Sequence, residues 1–302
     1  MRECIAILLH FRSAAMTRSC IDSLASEGVS TVVLVDNSED LGASLRALKE
    51  SLGEVAVKLH VIEPGCNLGF AAGVNRAIEL IERTTSNVDV LLINSDATLA
   101  QGTVDVLRRA VAGDLPSIAA PSIDGPTGLV PARTYYRHFS ATVSPAGPGW
   151  RGHALLGGAC LMLHHSLVHA PLFDESFFFY GDDIELGFRL ARDGIALLDV
   201  PEGVVIHQGS GSSGNGSLFY EYHMARAHLL MVSRLGYGLC GRICLVAGRV
   251  IFLGLRASIR SIRFRALRPW RGLCMAVLDV CLGRCRSLTP TPLASSSPGS
   301  TH

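Results

Sequence analysis

The sequence predicts an α/β fold in which a mostly parallel sheet carries helices on both faces. Over the first 120 residues, short apolar runs alternate with segments whose apolar residues recur every three to four positions. The first pattern is typical of buried strands and the second of amphipathic helices. The links between them are short, as expected for parallel strands joined by crossover helices.

The elements of the first half follow one another in that order. The predicted strands are 4–9, 31–36, 55–62 and 88–93, and the predicted helices are 14–26, 41–52, 67–81 and 103–112. Asn67 is placed to cap the third of these helices. Ligands of such sheets bind beyond the carboxyl ends of the strands, so we expect Asp36 and the 94–96 segment at a binding site.

The second half is less regular. Proline and glycine are frequent at 121–152, where loops and short strands are expected. Beyond it the sequence predicts an apolar run at 155–163, a helix at 182–193, a strand at 195–206 and a helical tail at 218–283. Asp182 and Asp183 open the first of these helices, where acids suit the positive end of the helix dipole.

Composition excludes two classes of protein. Of 302 residues, 48% are hydrophobic and 18% charged, which excludes a charge-rich disordered chain. The net charge of +1 argues against a nucleic-acid partner. The nine cysteines lack the paired spacing of a zinc site, so we expect reduced thiols and a cytoplasmic protein. Neither a signal peptide nor an apolar stretch long enough to span a bilayer is expected.

The charge is distributed unevenly along the chain. Residues 234–286 contain eleven arginines and one acid, Asp279, so this segment carries +10 and the rest of the chain −9. Four of the arginines recur every seven residues on one helical face: Arg242, Arg249, Arg256 and Arg263. Two interpretations stay open. The helices either pack on the body with arginines in solvent, or form an in-plane pair whose arginines contact anionic lipid.

Acidic and imidazole groups follow several predicted strands and could meet at one rim. Asp36 and Asp96 follow two strands of the first half, Asp183 opens a helix, and His207 closes a late strand. Each alone has an ordinary explanation, as a turn cap, a loop aspartate or a buried histidine. Together they suit a base and a divalent cation: Mg²⁺ prefers carboxylate oxygens, and Mn²⁺ also accepts an imidazole.

One further pattern is a weaker signal. Gly209, Gly211 and Gly214 match the G-x-G-x-x-G pattern of dinucleotide-binding proteins. The pattern belongs after the first strand of a sheet, whereas here it lies two thirds along the chain without the acidic residue that should follow. A nicotinamide cofactor is therefore disfavoured.

Six segments carry a more specific signal. They are 35–38 (VDNS), 67–75 (NLGFAAGVN), 94–97 (NSDA), 173–189 (FDESFFFYGDDIELGFR), 207–212 (HQGSGS) and 222–226 (YHMAR). In this order they resemble the family 2 inverting glycosyltransferases, particularly their bacterial rhamnosyltransferase-like branch. The resemblance covers about residues 4–235. It departs from the branch at Asn94, where many relatives carry an Asp, and at Asp182 and Glu185, where Asp and Glu are exchanged.

The resemblance implies a GT-A-like fold with a C-terminal helical extension. It assigns 1–120 to a nucleotide-sugar-binding half and 121–235 to an acceptor-binding and catalytic half of the same domain. Beyond the resemblance, the arginine pattern predicts a basic amphipathic helical extension at 236–286, and the Ser/Thr/Pro-rich composition predicts a disordered tail at 287–302. The implied reaction moves a sugar, for example a deoxysugar such as rhamnose, from a dTDP- or UDP-linked donor to a hydroxyl. The acceptor is a glycan, a lipid-linked molecule or a small molecule, and an anionic membrane surface is a further partner. A peripheral place on the inner face of the cytoplasmic membrane fits this reading.

The resemblance also implies functions for individual residues. Asp183 is the expected general base, and Asp182 the acid that orients it. Asp96 and His207 are expected to hold Mg²⁺ or Mn²⁺. The nucleotide sugar is expected to contact His10, Phe11, Arg12, Asp36, Asn67, Gly69, Phe70, Gly73, Asn75, Asn94 and Ser95, and the acceptor Trp150, Gly158, Tyr180 and Arg189.

Two alternative functions differ in their products. The Asp-to-Asn difference at position 94 is also what a catalytically degenerate relative that only binds a nucleotide or a glycan would show. A nucleotidyltransferase with a similar sheet would release pyrophosphate in place of a nucleoside diphosphate.

Overall fold

The computed structural model describes residues 2–53, 57–147, 149, 151–207, 216–286 and 288. Trp150, the three glycines of the 209–214 pattern and nearly all of the predicted tail at 287–302 lie outside these residues. The described part contains a large mixed sheet with helices on both faces, a small second sheet and three C-terminal helices. This architecture confirms the predicted α/β class.

The strands are β1 (Cys4–His10), β2 (Thr31–Asp36), β3 (Lys58–Ile62), β4 (Asp89–Ile93), β5 (Ala97–Leu99), β6 (Ser117–Gly125), β7 (Gly128–Val130), β8 (Arg133–Arg137), β9 (Thr142–Ser144), β10 (Gly152–Leu156), β11 (Cys160–Leu163) and β12 (Ala196–His207). The helices are α1 (Ala14–Ser26), α2 (Ala43–Leu52), α3 (Gly69–Thr84), α4 (Thr103–Ala110), α5 (Asp182–Arg192), α6 (Leu218–Arg234), α7 (Leu239–Phe264) and α8 (Arg268–Cys281).

The main sheet has the strand order β3-β2-β1-β4-β11-β6-β12-β5, with β7 paired to β6. Strands β3, β2, β1 and β4 run parallel, as do β6 and β12. Strands β11, β5 and β7 pair antiparallel with their neighbours. The first half is therefore parallel as predicted, whereas the second half is mixed. Two residues join β6 to β7, and so short a link allows only an antiparallel hairpin.

The core lies on both faces of this sheet. Along β1, Ala6 and Leu8 pack on the side covered by α1, α2 and α4, whereas Ile5 and Ile7 pack on the side of α3 and α5. A strand buried on both faces has no polar face to alternate with. This explains why β1 is apolar over a continuous run.

The start of α3 differs from the prediction by one position. The helix begins at Gly69 and its cap residue is Leu68, so Asn67 is not the cap. Asn67 lies one residue earlier, where its Oδ1 accepts a hydrogen bond from the Gly69 amide at 2.9 Å. Helix α5, in contrast, begins at Asp182 with three acids in its first turn, as expected.

The orientation of α7 corrects one point that both interpretations of the arginine repeat share, namely that Arg249 faces outward. Arg249 is 1% exposed and points into the body, not toward solvent or lipid. Its guanidinium donates to the carbonyls of His228, His138 and Phe139, and to the Tyr136 hydroxyl, at 2.6–3.1 Å. Further along the same helix, Arg256 lies 2.9 Å from the buried Glu221 carboxylate.

The C-terminal helices lie against the body. Helix α8 packs along α6 and α7. Within the described part of the chain, none of the helices combines the length and the apolar character needed to cross a bilayer.

Candidate active site

The carboxyl ends of β1, β2 and β4 meet at one rim of the main sheet, because these strands are adjacent and parallel. His10 ends β1 opposite Asp36 at the end of β2. The His10 imidazole is buried and bonded to Thr17 Oγ1 at 2.8 Å and Ser44 Oγ at 3.0 Å. Burial lowers the pKa of His10, so its ring is neutral and ties the β1–α1 loop to α2.

Asp36 and Arg12 lie together at this rim. The Asp36 Oδ1 accepts from the Ser38 amide at 3.0 Å and the carboxylate stays partly exposed. Arg12 donates from Nε to the Ser38 carbonyl at 2.8 Å, and its guanidinium lies 4.9 Å from the centre of the Phe11 ring. The structure therefore brings the predicted Phe11, Arg12 and Asp36 into one surface that faces away from the core.

The Gly69 position depends on close backbone packing. Its φ of +78° suits glycine, and a Cβ there would collide with the Phe178 carbonyl oxygen. That oxygen accepts a hydrogen bond from the Phe70 amide at 2.9 Å. On the other side, the Asn37 side chain donates to the Gly69 carbonyl at 3.0 Å. The 67–75 segment thus joins the end of β2 to the loop that precedes α5.

The Asn75 side chain is fully used inside the protein. It is buried, and its Nδ2 donates to the Phe173 carbonyl and to Glu175 Oε1, each at 2.9 Å. Its Oδ1 accepts from the amides of Leu172 and Phe173 at 2.9 and 3.0 Å. A contact between Asn75 and the nucleotide sugar, as predicted, would break these hydrogen bonds. The geometry therefore assigns Asn75 to holding the 172–175 loop. Gly73 is likewise buried, and a Cβ there would press on Leu9 Cδ2 at 3.0 Å.

Asp182 and Asp183 open α5 behind Gly181, whose φ is +81°. Asp182 is 8% exposed and Asp183 partly exposed. Neither pairs with an arginine or lysine within the described part of the chain. Burial is the main cause that raises the pKa of both carboxyls, and repulsion from Asp183 raises the pKa of Asp182 further. For Asp182, the like charge of Asp183 is therefore a smaller cause of the raised pKa than burial.

A buried row of hydrogen bonds supports the start of α5. His153 Nε2 lies 2.8 Å from the Ile184 carbonyl, so this nitrogen donates and Nδ1 accepts. His138 Nε2 lies 2.8 Å from that Nδ1, and His138 Nδ1 lies 2.7 Å from the Tyr237 hydroxyl. Burial lowers the pKa of both histidines, that of His138 to about 4, so the row is uncharged. No local sequence pattern marks these residues, because they come from three separate segments.

The residues predicted to bind the acceptor differ in how far they are engaged within the protein. The Arg189 guanidinium donates to Glu185 at 2.9 Å and to the Leu172 carbonyl at 2.7 Å, which places it behind α5 as a positioning group. Tyr180 has a φ of +62° and lies edge-on to Tyr220, with ring centres 5.3 Å apart. A Cβ on Gly158 would meet nothing within 4 Å, so that backbone is open on one side.

Asp96 and His207 meet as predicted. His207 lies opposite Ala97 in the β12–β5 register, and its Nε2 is 3.1 Å from Asp96 Oδ1. The turn before β5 is fixed by Asn94, whose amide donates to the Ala159 carbonyl and whose carbonyl accepts from Ala97, both at 3.0 Å. Ser95 lies in the same turn.

This pair fits a divalent metal. Neighbouring ligands in an octahedral shell with bonds near 2.1 Å lie about 3 Å apart, close to the observed separation of Asp96 and His207. A carboxylate with an imidazole suits Mn²⁺. Among the described residues no cluster of three His, Cys, Asp or Glu side chains is present. A metal held by this pair would need further ligands, such as water or substrate oxygens.

No family model matches the chain. A relative from Mycobacterium tuberculosis, named N-acetylglucosaminyl-diphospho-decaprenol L-rhamnosyltransferase, is 26% identical over 295 residues, covering 83% of the chain and 91% of the relative. A low-salt glycan biosynthesis hexosyltransferase from Haloferax volcanii is 26% identical over 203 residues, covering 63% of the chain and 62% of the relative.

Two solved structures share the fold. The mannosyltransferase of Pyrobaculum calidifontis, in complex with GDP-Man and Mn²⁺, gives a TM-score of 0.54 at 16% identity over 94% of this chain and 75% of that one. GalNAc-T7, with UDP, GalNAc and Mn²⁺, gives 0.55 at 13% identity over 75% and 47%, so this chain spans about half its length. The chain therefore has the fold of GT-A glycosyltransferases, and its sequence is similar to those of a bacterial rhamnosyltransferase and an archaeal hexosyltransferase, which supports a glycosyltransferase.

Proposed function

We propose that the chain transfers a sugar from a nucleoside diphosphate to an acceptor hydroxyl with inversion at the anomeric carbon, and that Asp183 is the general base. One observation carries this proposal. Asp182 is buried and Asp183 half-buried at the start of α5, neither has a cationic partner in the described residues, and the loop before α5 is bonded to the nucleotide-side segment at Phe70. Retaining uncompensated acids is costly, and such acids are typical of catalytic sites.

The proposed step needs one base and one departing group. The acceptor oxygen attacks the anomeric carbon while its proton passes to the Asp183 carboxylate. The bond from that carbon to the diphosphate oxygen breaks, and the diphosphate leaves with the electron pair. A raised pKa makes Asp183 a stronger base than an ordinary carboxylate. Arg189, bonded to Glu185, and His153, bonded to the Ile184 carbonyl, hold α5 in place.

The donor is proposed to bind at the β1 and β2 ends. Asp36 is partly exposed and suits hydrogen bonds to a ribose or nucleobase, while Phe11 and Arg12 offer a ring and a cation beside it. Asn67 and Phe70 are proposed to border this surface. The same geometry suits dTDP- and UDP-linked donors, and a deoxysugar such as rhamnose is proposed from the name of the mycobacterial relative.

Asp96 and His207 are proposed to hold Mg²⁺ or Mn²⁺, with Asn94 and Ser95 shaping the turn beside them. When bound, the ion would stabilise the negative charge that develops on the departing diphosphate. The two solved structures that share the fold both contain Mn²⁺.

The acceptor is proposed to be lipid-linked, and the chain to act at the cytoplasmic face of a membrane. The name of the mycobacterial relative specifies a decaprenyl-diphosphate acceptor. Gly158 leaves an open backbone next to the Asn94 turn, and Tyr180 precedes the acidic pair, so both are proposed to line the acceptor side together with Trp150.

A donor panel tests the reaction. Sugars on dTDP, UDP and GDP are incubated with the full chain, Mn²⁺ and a polyprenyl-diphosphate sugar acceptor, and the products are separated. We expect release of a nucleoside diphosphate and a glycoside of inverted configuration by NMR. Release of pyrophosphate would indicate a nucleotidyltransferase. A thermal shift with a nucleotide but no turnover on any acceptor would indicate a relative that only binds.

A further inference from the structure

Helices α7 and α8 present an apolar surface to solvent, here called the hairpin face. On α7 its exposed members are Ile243, Val250, Ile251, Leu255, Ile259 and Ile262; on α8 they are Trp270, Val277 and Leu278, and Leu267 caps α8. The two helices share one surface, because a Cβ on Gly254 of α7 would lie 3.7 Å from Trp270 of α8. Exposed apolar patches of this size mark an interaction site.

The opposite side of α7 explains why this face is apolar. Arg249 is buried among backbone carbonyls, and Arg256 and Arg260 reach the buried Glu221. Three of the five arginines of α7 thus point into the protein, whereas charged side chains of an ordinary surface helix face solvent. A helix whose arginines largely face the protein and whose isoleucine and valine side chains face outward is suited to an apolar partner.

The charge around the face indicates what that partner is. Arg265, Arg268 and Arg271 are exposed at the turn between α7 and α8. The one acid of 235–286 is Asp279, which is fully buried and bonded to Tyr222 and Arg286. The hairpin face therefore combines exposed apolar side chains with exposed cations and no exposed carboxylate. This combination is complementary to an anionic phospholipid surface.

We propose that the hairpin face seats the protein on an anionic lipid bilayer, with α7 and α8 lying in the membrane plane and the arginine turn on the head groups. The inference rests on the proposed function in one respect: a lipid-linked acceptor would lie at the same surface. The contact itself depends only on the two helices.

Two other occupants are less suitable. The segment 287–302 offers only Leu288, Leu293 and Ala294 as aliphatic side chains, too few to cover ten large ones. A second copy of the chain would bring two arginine turns to one interface without an exposed acid from either hairpin to neutralise them.

Flotation of the full chain with vesicles tests the proposal. The probes are vesicles of phosphatidylglycerol with phosphatidylethanolamine, and vesicles of phosphatidylcholine alone. Three variants are compared: Val250→Glu with Leu255→Glu, the matched control Leu115→Glu at an exposed site on the body, and Arg265→Gln with Arg268→Gln and Arg271→Gln. Thermal unfolding and sedimentation of each variant without vesicles verify the fold and the oligomeric state.

We expect the double glutamate variant to bind anionic vesicles on the order of a hundredfold more weakly, whereas Leu115→Glu binds like the wild type. The arginine variant should lose its preference for anionic over neutral vesicles, and added salt should do the same. Equal flotation of the glutamate variant, or no flotation of the wild type, would overturn the proposal. So would a wild-type dimer that this variant dissociates, since a second copy would then cover the face.

The outcome is distinguishable from failure of the proposed function. Transfer to a short, water-dispersed acceptor tests the active site without vesicles, and the glutamate variant should retain it. Loss of flotation with transfer retained supports the proposal. Loss of both on a folded variant would mean that α7 supports catalysis directly, and would count against a separate membrane contact.

Discussion

Buried carboxylates occur in two regions of the molecule with opposite surroundings. At the candidate active site, Asp182 and Asp183 lack a cationic partner in the described residues, and burial raises their pKa. In the C-terminal helices, Glu221 binds Arg256 at 2.9 Å and Arg260 at 2.6 Å. Where a buried acid connects helices, as Glu221 does, arginines of the same chain neutralise its charge. The uncompensated pair at the start of α5 is therefore the observation that supports the proposed reaction there.

Removing the proposed base should have the largest effect. Asp183→Asn is expected to lower kcat by about 10²–10⁴-fold, because an amide cannot accept the hydroxyl proton. Donor turnover under saturating substrate measures this, and the matched control is Asp193→Asn, an exposed acid just after the other end of α5. Unchanged turnover in Asp183→Asn would show that the base lies elsewhere.

The paired carboxylate should behave differently. Glu221→Gln leaves Arg256 and Arg260 without their counter-charge, so the free energy of unfolding should fall by about 3 kcal/mol. Urea unfolding measures this loss, with Glu202→Gln on the exposed part of β12 as the control. If Glu221→Gln were as stable as the wild type, the contrast between the two regions would not hold.

Unlike Asp182 and Asp183, Asp96 has a side-chain partner, the imidazole of His207. Asp96→Asn is expected to weaken Mn²⁺ binding in the presence of UDP by at least about 10–100-fold. Titration calorimetry of Mn²⁺ measures this without turnover, and Asp105→Asn at the exposed start of α4 is the control. Mn²⁺ affinity that is equal in the two variants would place the metal away from Asp96.

The smallest expected effect has the opposite sign. Asp182→Asn should raise the free energy of unfolding near pH 7 by on the order of 1 kcal/mol, because it removes a charge that burial disfavours. A raised folded pKa means that the wild type is most stable below the ordinary carboxyl range and loses stability as pH rises through that pKa. Urea unfolding at several pH values should show this slope in the wild type and less of it in Asp182→Asn. A variant that is destabilised at neutral pH would show that Asp182 holds the loop together.

The raised pKa also sets the pH dependence of the reaction. Transfer should decline with falling pH from a point above the ordinary aspartate range, because Asp183 must be ionised to accept a proton. A rate that is flat down to the ordinary range would contradict this assignment.

Local patterns predicted much of the fold. The strand β2, the helix α1 and the acidic start of α5 are where apolar spacing and end signals place them. Strand ends predicted that Asp96 and His207 lie at one rim, and the resemblance paired them, as their 3.1 Å contact shows. In contrast, the antiparallel pairing of β11 depends on contacts between residues about 70 positions apart, which no local pattern contains.

The arginine repeat shows where local patterns stop. A spacing of seven places Arg249 and Arg256 on one face but does not say which face meets the body. The deciding acceptors, the carbonyls of His138 and Phe139, lie more than 100 residues away and belong to backbone, which carries no sequence signal. The functions of Asn75 and Arg189 are ambiguous in the sequence for a related reason. A motif residue that supports a loop of the site and a motif residue that touches the substrate have the same sequence pattern.

The row of hydrogen bonds from Tyr237 through His138 and His153 to Ile184 has a mechanical consequence. Tyr237 lies in the link between α6 and α7, and Ile184 follows the proposed base directly. Each of the two histidines is held in one tautomer, so the row rigidly connects the hairpin to the start of α5, next to the proposed base. A hairpin resting in lipid would then fix the height of Asp183 above the phosphate plane. Acceptors would be sorted by how far their hydroxyl reaches from the bilayer as well as by their sugar.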